Sequence, residues 1–357
     1  MSSSETAVHG EGSLASPAII DSLAFLDDPF AFTTEQLAGV LAAPTERALD
    51  SVIRSGLTAG NVTVALTDDF ELTLDNIARL DGAIAASGGR LHKVLSADDL
   101  DAAGDGGVGV IYGLQNAAMI GHDLSRIDVL KQGGVRIVQL TYNGQNKLGS
   151  GSLAPHDSGL SDFGRDAVAS LHEHNLIVDL SHGSYRLTMD VIACSTNDQP
   201  PCISHTGCAA LADIPRNKTD EELRAIADLG GYVGVYVMPY LALGRTFTYD
   251  DVFAHIDHAI NVCGEDAIGI GTDHGVCDVE DRDEAERMYG DAVRFRQSLG
   301  ISAPGEEPGL PPYPEGFSGI EKYRDLEAAL KRNGYGSTRI EKVLGANFAR
   351  YASAVWG

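Results

Sequence analysis

The chain is expected to fold as a single (β/α)8 barrel, an α/β TIM barrel, and three observations lead there. Short apolar or β-branched runs recur at 18–20, 61–66, 108–112, 136–141, 176–180, 201–204, 232–237 and 267–271. Helical periodicity fills most of the intervals, at 45–55, 72–86, 161–174, 219–229 and 250–262, and several of these segments open on Ser, Thr or Asp in a capping position. The length of 357 residues suits one large barrel, and an apolar content of 43% is ample for its core. Strand and helix alternate throughout, so parallel strands joined by crossover helices are expected, with the chemistry on the loops that follow the strands. A doubly wound open sheet is the alternative.

Taken in order, residues 1–16 are polar and read as a flexible N-terminus, and 17–357 as one barrel domain with extra helices at its C-terminal end. No fixed-period repeat or low-complexity linker divides the domain. The Pro- and Gly-rich stretch 303–319 follows the last barrel helix and predicts a long loop. Such a loop could cover the barrel mouth, support a contact between copies, or lie inert on the surface.

A formal net charge of −25 argues against binding nucleic acid or an anionic membrane, both of which need clustered cations. No run approaches the ~20 apolar residues that cross a bilayer, and Met1–Ser16 lacks the basic start and apolar centre of a signal peptide, so a cytoplasmic location is expected. The five cysteines show no Cys-x-x-Cys spacing and read mostly as buried thiols.

Gln115, Tyr142, His182, His205, Tyr236 and Asp273 each fall within about three residues of the end of a different predicted strand, where a barrel assembles its site. Neutral imidazoles are common metal ligands, and Asp serves as a third ligand or as a base. His182, His205 and Asp273 could therefore form a mononuclear hydrolytic centre. A lone histidine at a strand end is more often structural; it is the co-location on successive strands that points to chemistry. His255 and His258 share a helix face, and they and the remaining histidines read as surface or structural residues.

The motifs Gly159-Leu160-Ser161-Asp162-Phe163-Gly164, Asp179-Leu180-Ser181-His182, Ser204-His205, Pro215-Arg216-Asn217, Gly230-Gly231-Tyr232-Val233-Gly234 and Gly269-Ile270-Gly271-Thr272-Asp273 occur in that order. In this the chain resembles the renal, or membrane, dipeptidase family, metal-dependent amidohydrolases with a (β/α)8 barrel whose typical members use two zinc ions. The resemblance implies that His182 and His205 bind the second metal, that Asp273 handles the proton of the attacking water, and that Arg216 clamps the substrate carboxylate. A planar guanidinium suits that role because it can give two charge-assisted hydrogen bonds.

Four positions depart from the family pattern. Leu23 and Phe25 stand where the family has a His-x-Asp pair, and Gln115 replaces its bridging glutamate. Tyr142 stands where many members have a histidine, and its hydroxyl could substitute for that imidazole. A binuclear centre is therefore not expected; the expectation is one zinc ion, or none. Asp273, Gln115 and Tyr142 are assigned to catalysis, Arg216, Tyr236, Asn143 and His274 to substrate binding, and His182 and His205 to the metal.

The function expected is metal-assisted hydrolysis of a C–N bond in a small carboxylate-bearing molecule, by a chain that pairs through its outer helices as a homodimer. A metal-independent lyase or tautomerase on the same barrel and a small-molecule binding protein are the alternatives.

Overall fold

The computed structural model describes residues 18–28, 39–103, 107–298, 300 and 302–357. The polar segment 1–16 lies outside the described residues. The strands are β1 (Ile20–Asp21), β2 (Ala24–Phe25), β3 (Ala59–Ala65), β4 (Leu91–Lys93), β5 (Val108–Leu114), β6 (Val135–Gln139), β7 (Ile177–Asp179), β8 (Cys202–Thr206), β9 (Tyr232–Val235), β10 (Ile268–Ile270) and β11 (His274–Gly275). The α-helices are α1 (Glu46–Arg54), α2 (Phe70–Ala86), α3 (Ala97–Ala102), α4 (Ser125–Gln132), α5 (Asp162–Glu173), α6 (Tyr185–Cys194), α7 (Asp220–Asp228), α8 (Tyr249–Cys263), α9 (Arg282–Ser298), α10 (Lys322–Arg332), α11 (Ser337–Glu341) and α12 (Asn347–Trp356).

The main sheet is parallel in the order β1-β3-β5-β6-β7-β8-β9-β10, with β4 added beside β5. The Ser22 amide donates to the Ile270 carbonyl at 3.0 Å, which brings the two ends of the sheet together. This is the expected (β/α)8 barrel, and each predicted strand lies on one of its staves. β4 and the two-stranded pair β2–β11 were too short to leave a pattern in the sequence. Local capping agrees with the tertiary order. Ser161 and Ser184 accept from the third residue of the helices they open, and Thr219 and Thr248 form full capping boxes.

Period-two alternation divides the barrel interior into layers. Ile20, Ala59, Ile111, Ile137, Ile177, Cys202 and Tyr232 form one apolar cluster with Phe348, Tyr351 and Trp356 of α12. The C-terminal helix thus plugs the bottom of the barrel. Two residues further along the strands the interior turns polar: Ser22, Asn61, Gln139, Asp179 and Ser204 are all buried. Ser22 Oγ donates to the Ser204 and Ile270 carbonyls, and Asn61 Nδ2 donates to the Ser22 carbonyl at 2.8 Å. Gly234 and Gly271 face this layer, and a Cβ on either would overlap the Ser204 carbonyl oxygen.

The segment 303–319 packs onto the barrel rather than lying free. Glu306 is held by Arg296, Tyr240 and Ser302, and the Pro312 carbonyl bonds to the His274 ring. Cys202, Cys208 and Cys277 are buried free thiols, whereas Cys194 is exposed. His255 is buried between the Cys208 amide and the Leu241 carbonyl, a structural role.

Gly271→Ala should destabilise the fold by about 1–3 kcal/mol through overpacking. A fall in the denaturant midpoint at constant slope is the expected reading; an unchanged midpoint would contradict the layered interior.

Candidate active site

Asp179 ends β7 inside the barrel, 2% exposed, and both of its oxygens are engaged. Oδ1 accepts from the Ser181 amide, the Ser181 hydroxyl and the Ser204 amide, and Oδ2 accepts from the Ser204 hydroxyl at 2.6 Å. With its only proton given to Asp179, Ser204 Oγ accepts from His205 Nδ1, 2.8 Å away. On the neighbouring stave, His182 Nδ1 lies 2.6 Å from Asn143 Oδ1, an atom that can only accept. Both imidazoles therefore carry their proton on Nδ1. Burial holds both far below the usual histidine range, with the Arg216 charge adding to it, so both rings are neutral.

The two unprotonated Nε2 atoms face each other at 3.0 Å. Two lone pairs at that distance repel unless a cation lies between them, which is the geometry of a ligand pair. Tyr142 stacks on His182, with ring centroids 4.3 Å apart.

Asp273 follows β10 and has the left-handed φ of 56°, a strained value for a residue with a side chain. The conformation is imposed from both sides. Asp21 accepts from the Thr272 amide at 2.7 Å and from its hydroxyl, and Lys322 Nζ bonds to Thr272 Oγ1 at 2.8 Å and to the His274 carbonyl at 2.7 Å. The Asp273 amide donates to the Leu23 carbonyl at 2.9 Å, and Tyr323 completes the shell around Asp21. Although its side chain stays partly accessible, the surrounding protein raises the Asp273 carboxyl to about 7, burial being the largest influence and Arg216 opposing it.

Arg216 is 1% exposed and forms no ion pair among the described residues. Its Nη1 donates to the Ser181 carbonyl, and its Nη2 is buried without a partner. A buried guanidinium left half satisfied is costly unless something completes it.

The remaining expected residues divide. Gln115 Nε2 donates to Thr63 Oγ1 at 2.7 Å, so its amide is tied to the barrel wall. The Tyr236 hydroxyl donates to Asn217 Oδ1 and its ring lies 5.9 Å from the Arg216 guanidinium, which makes it a support for that arginine. The His274 ring is turned to Pro312 and Phe317, and burial lowers it to about 3, so it is neutral. Leu23 is buried, and Phe25 lies in β2 beside Gly275.

Sequence reading expected helices before and after 303–319 but assigned them no site residue. Arg296, Glu306 and Tyr289 all act electrostatically on Tyr142 or share its neighbours, and Lys322 grips the residues flanking Asp273. Neither helix carries a motif; only the run of aromatics and charges in 282–323 was available as a signal.

Of the residues expected to hold a metal, the structure brings His182 and His205 together. The imidazole pair fits an ion, with Asn143 and the Asp179–Ser204 relay orienting its ligands. Leu23, Phe25 and the tethered Gln115 offer nothing for a second. Among the described residues no three His, Cys, Asp or Glu side chains come together to hold a metal, so Asp273 stands apart from the imidazoles.

Lys322→Met should leave Asp21 as an uncompensated buried charge and lower stability by about 3–5 kcal/mol, read from the denaturant midpoint. A loss below about 1 kcal/mol would show that the clamp around Asp273 does not depend on this pair.

Comparisons with known proteins bear on the fold and the family. The family model described as membrane dipeptidase (peptidase family M19) matches residues 36–288. An amidohydrolase from Pseudomonas aeruginosa has a structure that superposes with a TM-score of 0.79 at 34% identity, covering 96% of this chain and 98% of that one. A metallopeptidase from Rhodobacter sphaeroides, liganded with a phosphinate mimic of the dipeptide L-Ala-D-Ala, shares the fold at a TM-score of 0.73 and 20% identity, covering 95% of this chain and 99% of that one. A protein of Klebsiella pneumoniae of uncharacterised role is 26% identical over 81% of this chain and 98% of its own length. A dipeptidase of Claviceps purpurea is 26% identical over 67% of this chain, which spans about half of that relative's length. The chain belongs to the membrane dipeptidase family, peptidase family M19, and is a dipeptidase-like hydrolase.

Proposed function

We propose that this protein hydrolyses a C–N bond, peptide or amide, in a small substrate bearing a carboxylate, using a single metal ion, zinc by its ligands, held by His182 and His205. The observation that carries the reading is the pairing of a buried guanidinium lacking one partner with a carboxyl group of raised proton affinity. The substrate carboxylate completes Arg216 through Nη2, and Tyr236 supports that arginine from beneath. Asp273, raised to about 7, takes the proton of the attacking water and returns it to the leaving nitrogen. His182 and His205 would hold a divalent ion, which would supply Lewis-acid polarisation of the scissile carbonyl. Tyr142, stacked on His182 and pushed up to about 12, keeps its proton and can donate to the oxyanion that develops.

Metal-free acid–base chemistry is the competing reading, favoured by the replacement of usual ligands at Leu23, Phe25 and Gln115. Elemental analysis separates the two. About one zinc per chain is expected on protein purified without added metal or chelator, and none in the His182→Ala, His205→Ala double variant; an equal metal content in both would remove the site from these residues.

Asp273→Asn should lower turnover by at least ~100-fold with the fold intact. Because the base works ionised and its pKa is raised, kcat/KM should fall as pH drops below about 7 and level off above it. A profile flat between pH 5 and 8 would count against Asp273 as the base.

A further inference from the structure

One wall of the barrel mouth is built by α9 and the segment after it. The Tyr289 ring lies 5.7 Å from the Arg296 guanidinium. Arg296 reaches Glu306 through Nε at 3.1 Å and Nη2 at 2.8 Å, and the Tyr240 hydroxyl donates to Glu306 Oε1 at 2.7 Å. Tyr240 packs on Tyr236, which packs on Arg216. The contacts thus run without a break from Tyr289 to the expected carboxylate clamp. Among the described residues, two buried polar atoms along this wall lack a hydrogen-bond partner, Arg216 Nη2 and Tyr289 Oη. A buried phenol without a partner is costly, and a bound molecule can supply the missing one.

We propose that Tyr289 Oη is a substrate contact, donating a hydrogen bond to the acyl oxygen of an N-acylated amino acid whose carboxylate is held by Arg216. This deepens the reading above and rests on it. Asp273 and Tyr142 are among the groups whose charges act on Tyr289, and with burial they keep its proton in place, so it donates at any working pH. The charge along the wall favours an acyl group over a free ammonium. Arg216 and Arg296 are both cationic, Glu306 is occupied by Arg296, Tyr240 and Ser302, and Asp273 is only partly ionised near neutrality. In the reaction water adds to the acyl carbon, the C–N bond breaks, and the nitrogen leaves as an amine carrying the proton taken from water.

The test is calorimetric titration of the purified chain and its Tyr289→Phe variant with N-acetyl-L-alanine, N-acetyl-D-alanine and L-Ala-D-Ala, alongside thermal melting and a separate assay for acetate release. The wild type should bind one N-acetylalanine at least tenfold more tightly than L-Ala-D-Ala, and Tyr289→Phe should weaken that binding about tenfold without lowering the melting temperature. Equal affinity of both forms for N-acetylalanine, tighter binding of the free dipeptide, or no binding by the wild type would overturn the proposal. So would a melting temperature lowered in Tyr289→Phe, which would mean that the hydroxyl has an internal partner. N-acetylalanine that binds as expected without acetate release would sink the hydrolase reading and support the contact.

Discussion

Two carboxylates buried beneath the barrel mouth hold the rest of the site in place. Asp179 and Asp21 are 2% and 0% exposed, and each draws together groups that the chain supplies far apart. Asp179 gathers the ends of β7 and β8, so that one residue sets both the protonation and the direction of His205 and the path of the segment carrying His182. Asp21 gathers β1, the turn after β10, and α10, so that Asp273 stands in a conformation it would not adopt alone. Burying a carboxylate is expensive unless its lone pairs are filled, and here all the nearby donors converge to fill them. Both supports are buried and hydrogen-bonded through both carboxylate oxygens.

The contrast between the two halves of the mouth follows from this. On the His182–His205 side the polar layer ends in two neutral imidazoles with aligned lone pairs. On the β1 side the same layer ends in Leu23, Phe25 and the tethered amide of Gln115. A pair of dications needs several anionic ligands to offset their mutual repulsion, and Leu23, Phe25 and Gln115 supply none. The mouth carries an imidazole pair, a carboxyl group raised to about 7, and a guanidinium whose buried Nη2 has no partner among the described residues.

The C-terminal third explains how an ordinary barrel becomes an enclosed site. α9 and 303–319 place Tyr289, Arg296 and Glu306 over the mouth, α10 inserts Lys322 and Tyr323 behind Asp273, and α12 closes the opposite end. Such a shell lowers the local dielectric, which is why the Asp273 carboxyl rises and both imidazoles stay uncharged.

The barrel and its eight staves were legible in the amino-acid sequence, because period-two and period-3.6 patterns are local, and so was the placing of His182, His205, Arg216 and Asp273 at or just beyond strand ends. The losses at Leu23, Phe25 and Gln115 were legible for the same reason. What only the tertiary structure decided was partnership. Nothing near Asp273 in the chain announces Lys322, about 50 residues on, or Asp21, about 250 residues back; closure of a parallel barrel brings them together. Likewise, Tyr236 and His274 occupy the right strand ends, yet their polar atoms are taken by Asn217 and Pro312, and α9, with no motif of its own, supplies Tyr289. A residue's position along a strand follows from its neighbours in sequence, whereas the partner that satisfies its polar atoms is set by long-range packing, and at this site that partner decides the chemistry.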